Sequence, residues 1–88
     1  MPQRELTIKN KLGIHARPAA QFVKTASKFS SEISVEKDGE EVDGKSIMGL
    51  MMLAAGHGSA ILVSAEGDDA EAALDAIEDL VTRSFEEE

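Results

Sequence analysis

The residues of this chain with the clearest chemical potential are a histidine and an arginine two positions apart, His15 and Arg17. Small apolar residues recur at helical spacing from Ala16 onward, and Pro18 suits the first turn of a helix, where its missing N–H costs nothing. His15 is therefore predicted to lie at a helix N-terminus, where unpaired backbone N–H groups favour anions such as phosphate. The planar guanidinium of Arg17 also suits phosphate oxygens. This combination predicts a site that holds a phosphoryl group on histidine.

A surface histidine near an arginine is more often only solvated, and so short a pattern leaves that alternative open. Two details favour the chemical interpretation. The residues around His15 are small and polar, so its ring is expected to be exposed, and Ser, Thr, Asp or Asn would cap a helix better than His. Phosphoryl transfer depends on in-line positioning and on stabilising charge at the equatorial oxygens. Because no second acid or base lies nearby in the sequence, His15 is expected to act as a carrier and not as a self-sufficient catalyst.

The rest of the chain predicts an α+β fold in the order β-α-β-β-α-β-α. Asp38-Gly39 is a strong hairpin signal, and Asp68 with Glu71 is typical of a capping box at the start of the last helix. The predicted elements are a strand within residues 1–9, a helix over 16–28, strands over 33–36 and 41–43, a helix over 47–54, a strand over 60–64 and a helix after residue 68, followed by a frayed tail at 86–88. Two split β-α-β halves joined by a hairpin give a four-stranded antiparallel sheet with helices on one face. The same order is compatible with a ferredoxin-like domain.

Length and composition restrict the classes of function. Eighty-eight residues make one domain, residues 1–88, with a modest core. The net charge of −8 and the presence of only three aromatic residues, all Phe, argue against nucleic-acid binding. The chain has no cysteine, no charged-then-apolar leader and no run of membrane-spanning length, so we expect a cytoplasmic protein without membrane insertion. The sequence shows no spacing typical of metal ligands, and we expect neither a metal nor a cofactor.

A second stretch of interest begins at Ser46, which is predicted to cap a short helix. This helix is apolar on almost every side, so it is either buried or partly presented to a partner. Leu50 and Leu53 are assigned to the core, and the residues assigned to the border of the surface are Ile47, Met48 and Met51. Burial of all of them is an equally good interpretation of the pattern alone. His57, between two glycines, is interpreted as an ordinary loop residue.

Two motifs carry a family resemblance. Gly13-Ile14-His15-Ala16-Arg17-Pro18-Ala19 resembles the active-site motif of the HPr family, the histidine phosphocarriers of the bacterial phosphoenolpyruvate-dependent phosphotransferase system, and Gly44-Lys45-Ser46-Ile47-Met48-Gly49 resembles that family's regulatory serine motif. The spacing between the motifs also matches, and the similarity covers nearly the whole chain. The resemblance implies an open-faced β-sandwich, with four antiparallel strands and three helices on one face.

The resemblance also implies the activity, the partners and the site. The protein would be a carrier and not an enzyme, accepting a phosphoryl group on Nδ1 of His15 from phosphoenzyme I, which phosphoenolpyruvate charges, and passing it to enzyme IIA domains. Arg17 would stabilise the phosphate, and HPr kinase/phosphorylase is the implied regulator acting on Ser46. The implied partner-binding residues are Ile47, Met48, Met51, Ala16 and Ala20. We expect a monomer that serves sugar uptake, regulation or both.

Some residues depart from the pattern of the sugar branch. Leu12 stands where many sugar-branch carriers have a small hydroxyl residue, and Asn10-Lys11-Leu12-Gly13 with the acidic tail after Phe85 resembles the nitrogen-branch carriers. A nitrogen-branch regulatory carrier that acts mainly by phosphorylation-dependent docking is therefore an alternative. A pure interaction module and a small phosphatase of ferredoxin-like fold are the rivals from other classes. The presence of His15 excludes the family's paralogues that lack the active-site histidine.

Overall fold

The computed structural model describes residues 2–86, and within them strands and helices follow the predicted order. The elements are β1 (Gln3–Thr7), α1 (Ala16–Ala26), β2 (Glu32–Lys37), β3 (Glu40–Asp43), α2 (Ile47–Met52), β4 (Ala60–Glu66), α3 (Ala70–Thr82) and a final 3₁₀ turn, Ser84–Glu86. The four strands form one antiparallel sheet in the order β1-β4-β2-β3. The predicted open sheet with three helices is confirmed.

The register of the sheet follows from the alternation of apolar and polar residues. Leu6 and Ile8 are buried while Glu5 and Thr7 are exposed, because successive side chains of an extended chain point to opposite faces. In the β2–β3 hairpin, Asp38 and Gly39 have φ values of 54° and 86°. Positive φ at both central residues is the backbone that a two-residue hairpin loop prefers, because its twist matches that of the strands.

The core lies between one face of the sheet and the helices. Helix α1 buries one face, which consists of Pro18, Ala19, Phe22 and Ala26, and from Ala19 onward these residues are three or four positions apart. Helix α3 buries a longer stripe, namely Ala70, Ala73, Leu74, Ile77, Leu80 and Val81. Phe85 in the final 3₁₀ turn is also buried, so the end of the described chain packs against the core. Among residues 2–86, no helix combines the length and apolarity that a membrane crossing needs.

No helix within residues 2–86 covers the opposite face of the sheet, and this face is strongly acidic. The outward positions of the four strands hold six carboxylates and no Lys or Arg, and these acids are Glu5, Glu32, Glu36, Glu41, Asp43 and Glu66. Glu36 pairs in register with Glu41, and Glu32 pairs with Glu66. Like charges directly opposite each other on a sheet are destabilising, so these two pairs lower the stability of the folded protein.

The expected capping box at the last helix is wrong. The N-cap is Asp69, not Asp68, and its side chain makes no cap hydrogen bond. Its carboxylate instead accepts the backbone N–H groups of Ser30 and Ser31, at 2.9 and 3.0 Å, together with both serine hydroxyls. The hydrogen bond from the Ser31 hydroxyl, supported by those from the two N–H groups, lowers the pKa of Asp69 from 3.8 to about 2. Asp69 therefore joins the start of α3 to the turn that follows α1.

Glu71, the other residue of the expected capping box, forms an ion pair with Arg4 of β1. Arg4 Nη2 lies 3.0 Å from Glu71 Oε1, and Arg4 Nη1 lies 2.6 Å from Asp75 Oδ1 and 2.8 Å from Glu78 Oε1. These three carboxylates follow one face of α3 at helical spacing. Their hydrogen bonds and charges raise the pKa of Arg4 above its ordinary value. One arginine thus offsets part of the acidic charge of α3.

Several element ends also differ from the sequence-based bounds. Helix α1 ends at Ala26 and not near residue 28, because the chain then continues in tight turns closed by bonds from Lys28 N to Thr25 O and from Phe29 N to Ala26 O. Helix α2 ends at Met52 and not at residue 54, since Ala54 adopts a left-handed φ of 53°. Of the expected frayed tail, residue 86 lies in the final turn, and residues 87–88 lie outside the described part of the chain.

Candidate functional site

His15 is the N-cap residue of α1, as predicted. Its backbone is extended, with φ −102° and ψ −165°, and its carbonyl accepts the first helical hydrogen bond, from Ala19 N at 3.0 Å. The imidazole makes no capping hydrogen bond to the helix. The expected exposure of this ring is wrong in part, because His15 is half-buried and its Nε2 atom is shielded from solvent.

The loop before His15 is held by a glycine in a conformation that other residues rarely adopt. Gly13 has a φ of 71°, and a Cβ added there would lie 2.6 Å from the Cα of Gly56. The next residue, Ile14, donates its N–H to Ala55 O at 2.8 Å. The loop thus packs backbone to backbone against the segment that follows α2. This close approach joins the histidine loop to the second helix.

The start of α1 offers donors toward the solvent beside the histidine. The first helical N–H groups, those of Ala16 and Arg17, have no acceptor within a helix, and Pro18 has no N–H. Ala16 and Arg17 are both exposed, and the Arg17 guanidinium forms no hydrogen bond or ion pair with another residue in the range 2–86. The N–H groups, the positive end of the helix dipole and the guanidinium favour an anion at this point.

Ser46 caps α2, which confirms the prediction from its position. Its Oγ accepts the N–H of Gly49 at 3.0 Å, and its own N–H donates to Asp43 O at 3.1 Å. The preceding residue, Lys45, donates from Nζ to Phe29 O at 2.9 Å, near the end of α1. Ser46 lies at the start of α2, whereas the contact with the histidine loop lies past its end. The structure therefore places the two motifs at opposite ends of one short helix.

Helix α2 presents an apolar surface, which we name the methionine patch. Its members are Ile47, Met48, Met51 and Met52, whose exposed fractions are 43%, 73%, 44% and 66%. Leu50 and Leu53 are buried as assigned, but the exposure of these four side chains shows that the interpretation in which every apolar residue of the helix is core is wrong. The sequence pattern did not assign Met52 to this surface. As the residue after Met51 at the end of a six-residue helix, however, Met52 has little opportunity to pack into the core. Large exposed apolar groups of this kind mark interaction surfaces.

The other residues assigned to partner binding lie on α1. Ala16 and Ala20 are both exposed, one turn apart along the helix that begins at His15. His57 is an exposed loop residue, as expected, and its Nδ1 atom also lies 3.3 Å from Asn10 O. Asn10 itself is completely buried and donates from Nδ2 to Gly13 O at 2.6 Å. In the sequence, Asn10 was interpreted only as part of the segment that resembles the nitrogen-branch carriers. A polar residue three positions before a loop glycine is, however, typical of a side chain that binds the loop backbone.

The comparisons with known proteins agree with this geometry. Residues 2–83 match the family described as PTS HPr component phosphorylation site. Phosphocarrier protein HPr of Cupriavidus necator is 46% identical over 99% of this chain and 98% of that protein. The crystal structure of HPr-C-His from Thermoanaerobacter tengcongensis has a TM-score of 0.96 and 56% identity, covering 100% of this chain and 99% of that one.

A crystal structure of an HPr dimer from the same organism has a TM-score of 0.78 and 55% identity, covering 97% of this chain and 98% of that one. The monomeric state expected for this chain therefore stays a prediction. The proteins to which the chain is similar are phosphocarriers of the phosphotransferase system and not catalytic enzymes. Fold, motifs and relatives agree that this chain belongs to the HPr family of phosphocarrier proteins.

Proposed function

We propose that the protein accepts a phosphoryl group on His15 from phosphoenzyme I and passes it to enzyme IIA domains in the cytoplasm, with residues 1–88 acting as one HPr-like domain. The observation that carries this proposal is the arrangement at the start of α1. A half-buried histidine stands at the helix start, where two exposed residues carry N–H groups without a helical acceptor, beside an exposed arginine that has no partner in the described chain. Phosphoryl transfer needs positioning and charge stabilisation, and these groups supply both.

The phosphoryl group is proposed to sit on Nδ1 of His15. Nε2 is shielded from solvent, which argues against that nitrogen as the phosphoryl acceptor. The family resemblance also implies Nδ1. Arg17 is proposed to contact the phosphate oxygens, since a guanidinium forms paired charge-assisted hydrogen bonds with them. Neither role requires a metal or a cofactor.

The methionine patch is proposed to be the docking surface for both partners, together with Ala16 and Ala20. Enzyme I and an IIA domain must each bring a reacting group to His15, so a surface used by both has to lie next to that residue. The bond from Ile14 N to Ala55 O holds the segment that follows α2 against the histidine loop. Methionine side chains are flexible and polarisable, which suits a surface that must fit more than one protein.

Ser46 is proposed to be a regulatory phosphorylation site for HPr kinase/phosphorylase. Its position at the edge of the methionine patch supports the proposal, because Ile47 and Met48 follow it directly. A phosphate there would add about two negative charges beside an apolar docking surface. The helix start would tolerate that charge, since negative groups are favourable at a helix N-terminus. The expected effect is weaker docking without unfolding.

The test is incubation of the protein with enzyme I and phosphoenolpyruvate. The wild-type protein should gain one acid-labile phosphate, and His15→Ala should gain none while keeping the wild-type circular dichroism spectrum, because the imidazole caps nothing in the helix. Phosphorylation of His15→Ala at the wild-type level would refute the proposal. Docking on enzyme I without gain of phosphate would indicate an interaction module. Hydrolysis of phosphorylated substrates without any partner protein would indicate a phosphatase.

A nitrogen-branch regulatory role is the second candidate, and the environment of Leu12 favours it. This side chain is 77% exposed in the loop that leads to His15, where sugar-branch carriers often have a small hydroxyl residue. An exposed leucine beside the site changes which acceptor surfaces fit there. Transfer from the phosphorylated protein to a panel of IIA domains from both branches would distinguish the two roles.

A further inference from the structure

Asn10 is a buried polar residue in the loop that carries His15. Its side chain has no exposed surface, whereas asparagine is mostly an exposed residue. Its side-chain amide lies 2.6 Å from Gly13 O. Because a carbonyl oxygen can only accept a hydrogen bond, the atom facing it is the amide nitrogen, and this settles the orientation of the amide group. The contact is therefore a hydrogen bond of known direction inside the protein.

The carbonyl that Asn10 binds also receives the backbone of His15. His15 N donates to Gly13 O at 3.1 Å, which closes a three-residue turn around Ile14. In return, Gly13 N donates to Asn10 O at 3.2 Å. A single oxygen atom thus connects the buried amide to the residue whose side chain is the proposed phosphoryl carrier.

The segment after α2 supports the same loop from the other side. His57 Nδ1 lies 3.3 Å from Asn10 O, and Gly58 N donates to Ile8 O at 2.8 Å. These two contacts hold the chain that leads into the loop, and the bond from Ile14 N to Ala55 O holds the peptide between residues 13 and 14 directly. Asn10 is the side chain that fixes this peptide from within the loop.

We propose that Asn10 is a positioning residue for His15 in phosphoryl transfer, an inference that rests on the proposed function. The reacting nitrogen must keep its place relative to the helix N-terminus and Arg17 while the phosphoryl group moves in line. Without the Asn10 amide, the Gly13 carbonyl loses one of its two donors and the turn that directs the His15 backbone loosens. A displacement of about 1 Å at a reacting group can cost about a hundredfold in rate.

The test compares Asn10→Ala with the wild-type protein as a substrate of enzyme I. We expect kcat to fall about ten- to hundredfold, and KM to stay within about twofold because the methionine patch is unchanged. Hydrogen exchange of the His15 amide should become at least about tenfold faster as its acceptor moves. Asn10→Ser is a second variant that keeps a polar group at this position, but its shorter side chain does not reach the Gly13 carbonyl, so the same losses of kcat and of exchange protection are expected. Both should be assayed well below their melting temperatures.

Ser31→Ala is the matched control. Ser31 is also buried, and it loses its hydroxyl bond to Asp69 at the far end of α1. It should lower the melting temperature and leave kcat within about twofold of wild type. An equal loss of kcat in this control would overturn the proposal, since the effect would then follow from stability alone. Folded Asn10 variants with wild-type kcat, or with wild-type exchange at His15, would also overturn it. If the wild-type protein gains no phosphate, the proposed function fails, and the exchange measurement still decides whether Asn10 positions His15.

Discussion

Ser46 has a structural role and a proposed regulatory role, and two substitutions separate them. Ser46→Ala removes the oxygen that accepts the Gly49 N–H at 3.0 Å. Loss of an N-cap costs about 1 kcal/mol, and in a domain of this size 1 kcal/mol lowers the melting temperature by about 4–8 °C. Ser46→Asp keeps an acceptor and adds a negative charge at the helix N-terminus, which is favourable. We expect its melting temperature to equal or slightly exceed that of the wild-type protein.

The two variants should rank in the opposite order when the rate of phosphoryl transfer is measured. A carboxylate at position 46 lies next to the exposed side chains of Ile47 and Met48, so a partner that covers the methionine patch must desolvate it. Burying a polar group without a partner costs roughly 1–3 kcal/mol, and more when it is charged. This corresponds to a loss of about five- to 150-fold in kcat/KM for phosphorylation by enzyme I. Ser46→Ala adds no charge and should transfer at close to the wild-type rate below its melting temperature.

The assay therefore measures the melting temperature and kcat/KM on the same preparations of three proteins. The expected result is a crossed pattern, in which the alanine variant loses stability and the aspartate variant loses transfer. Wild-type kcat/KM in Ser46→Asp would refute the regulatory role and leave Ser46 as a helix cap. A large loss of stability in Ser46→Asp would show that slow transfer comes from damage to α2.

Two further predictions concern charged residues. Arg17→Ala should keep phosphate acceptance but slow it about ten- to hundredfold, because one charge-assisted contact of roughly 1.5–3 kcal/mol is lost; a rate within twofold of wild type would leave Arg17 without a role at the phosphate. Asp69 has a pKa lowered from 3.8 to about 2, so its ionised form stabilises the fold above pH 3.8, and that stability is lost as the pH falls through about 2. Asp69→Asn should therefore show a flatter decline of melting temperature between about pH 4 and pH 2, and curves parallel to those of the wild-type protein would contradict this assignment.

The sequence predicts the fold well because local signals and global pairing agree. Asp38-Gly39 specifies a hairpin by backbone geometry alone, and the alternation around Leu6 sets which face of β1 is buried. The start of α1 was found for the same reason, since Pro18 and the alanine spacing mark it independently. Ser46 was identified as a cap from its residue type and position.

What the sequence did not show depends on contacts between distant residues. Asp69 is an N-cap whose carboxylate binds Ser30 and Ser31, almost forty positions away, so no local motif could reveal it. The spacing of Asn10 from Gly13 is a weak local signal, and the supporting role of Asn10 depends on its complete burial, which the sequence does not specify. The half-burial of His15 is likewise a tertiary property that the residues next to it in the sequence do not specify. Spacing identified the residues of the site but not the groups that hold them.

The acidic outer face of the sheet changes how the net charge of −8 should be interpreted. The molecule measures 33 × 26 × 20 Å, whereas surface charges are screened within about 8 Å at physiological salt. An approaching protein therefore interacts with the charges on the side that it meets and not with the net charge of the molecule. Residues 6–31, which include His15, contain five Lys and Arg and no Asp or Glu. A partner of negative charge is repelled from the sheet and attracted to the histidine, so the electric field orients the two molecules before they touch.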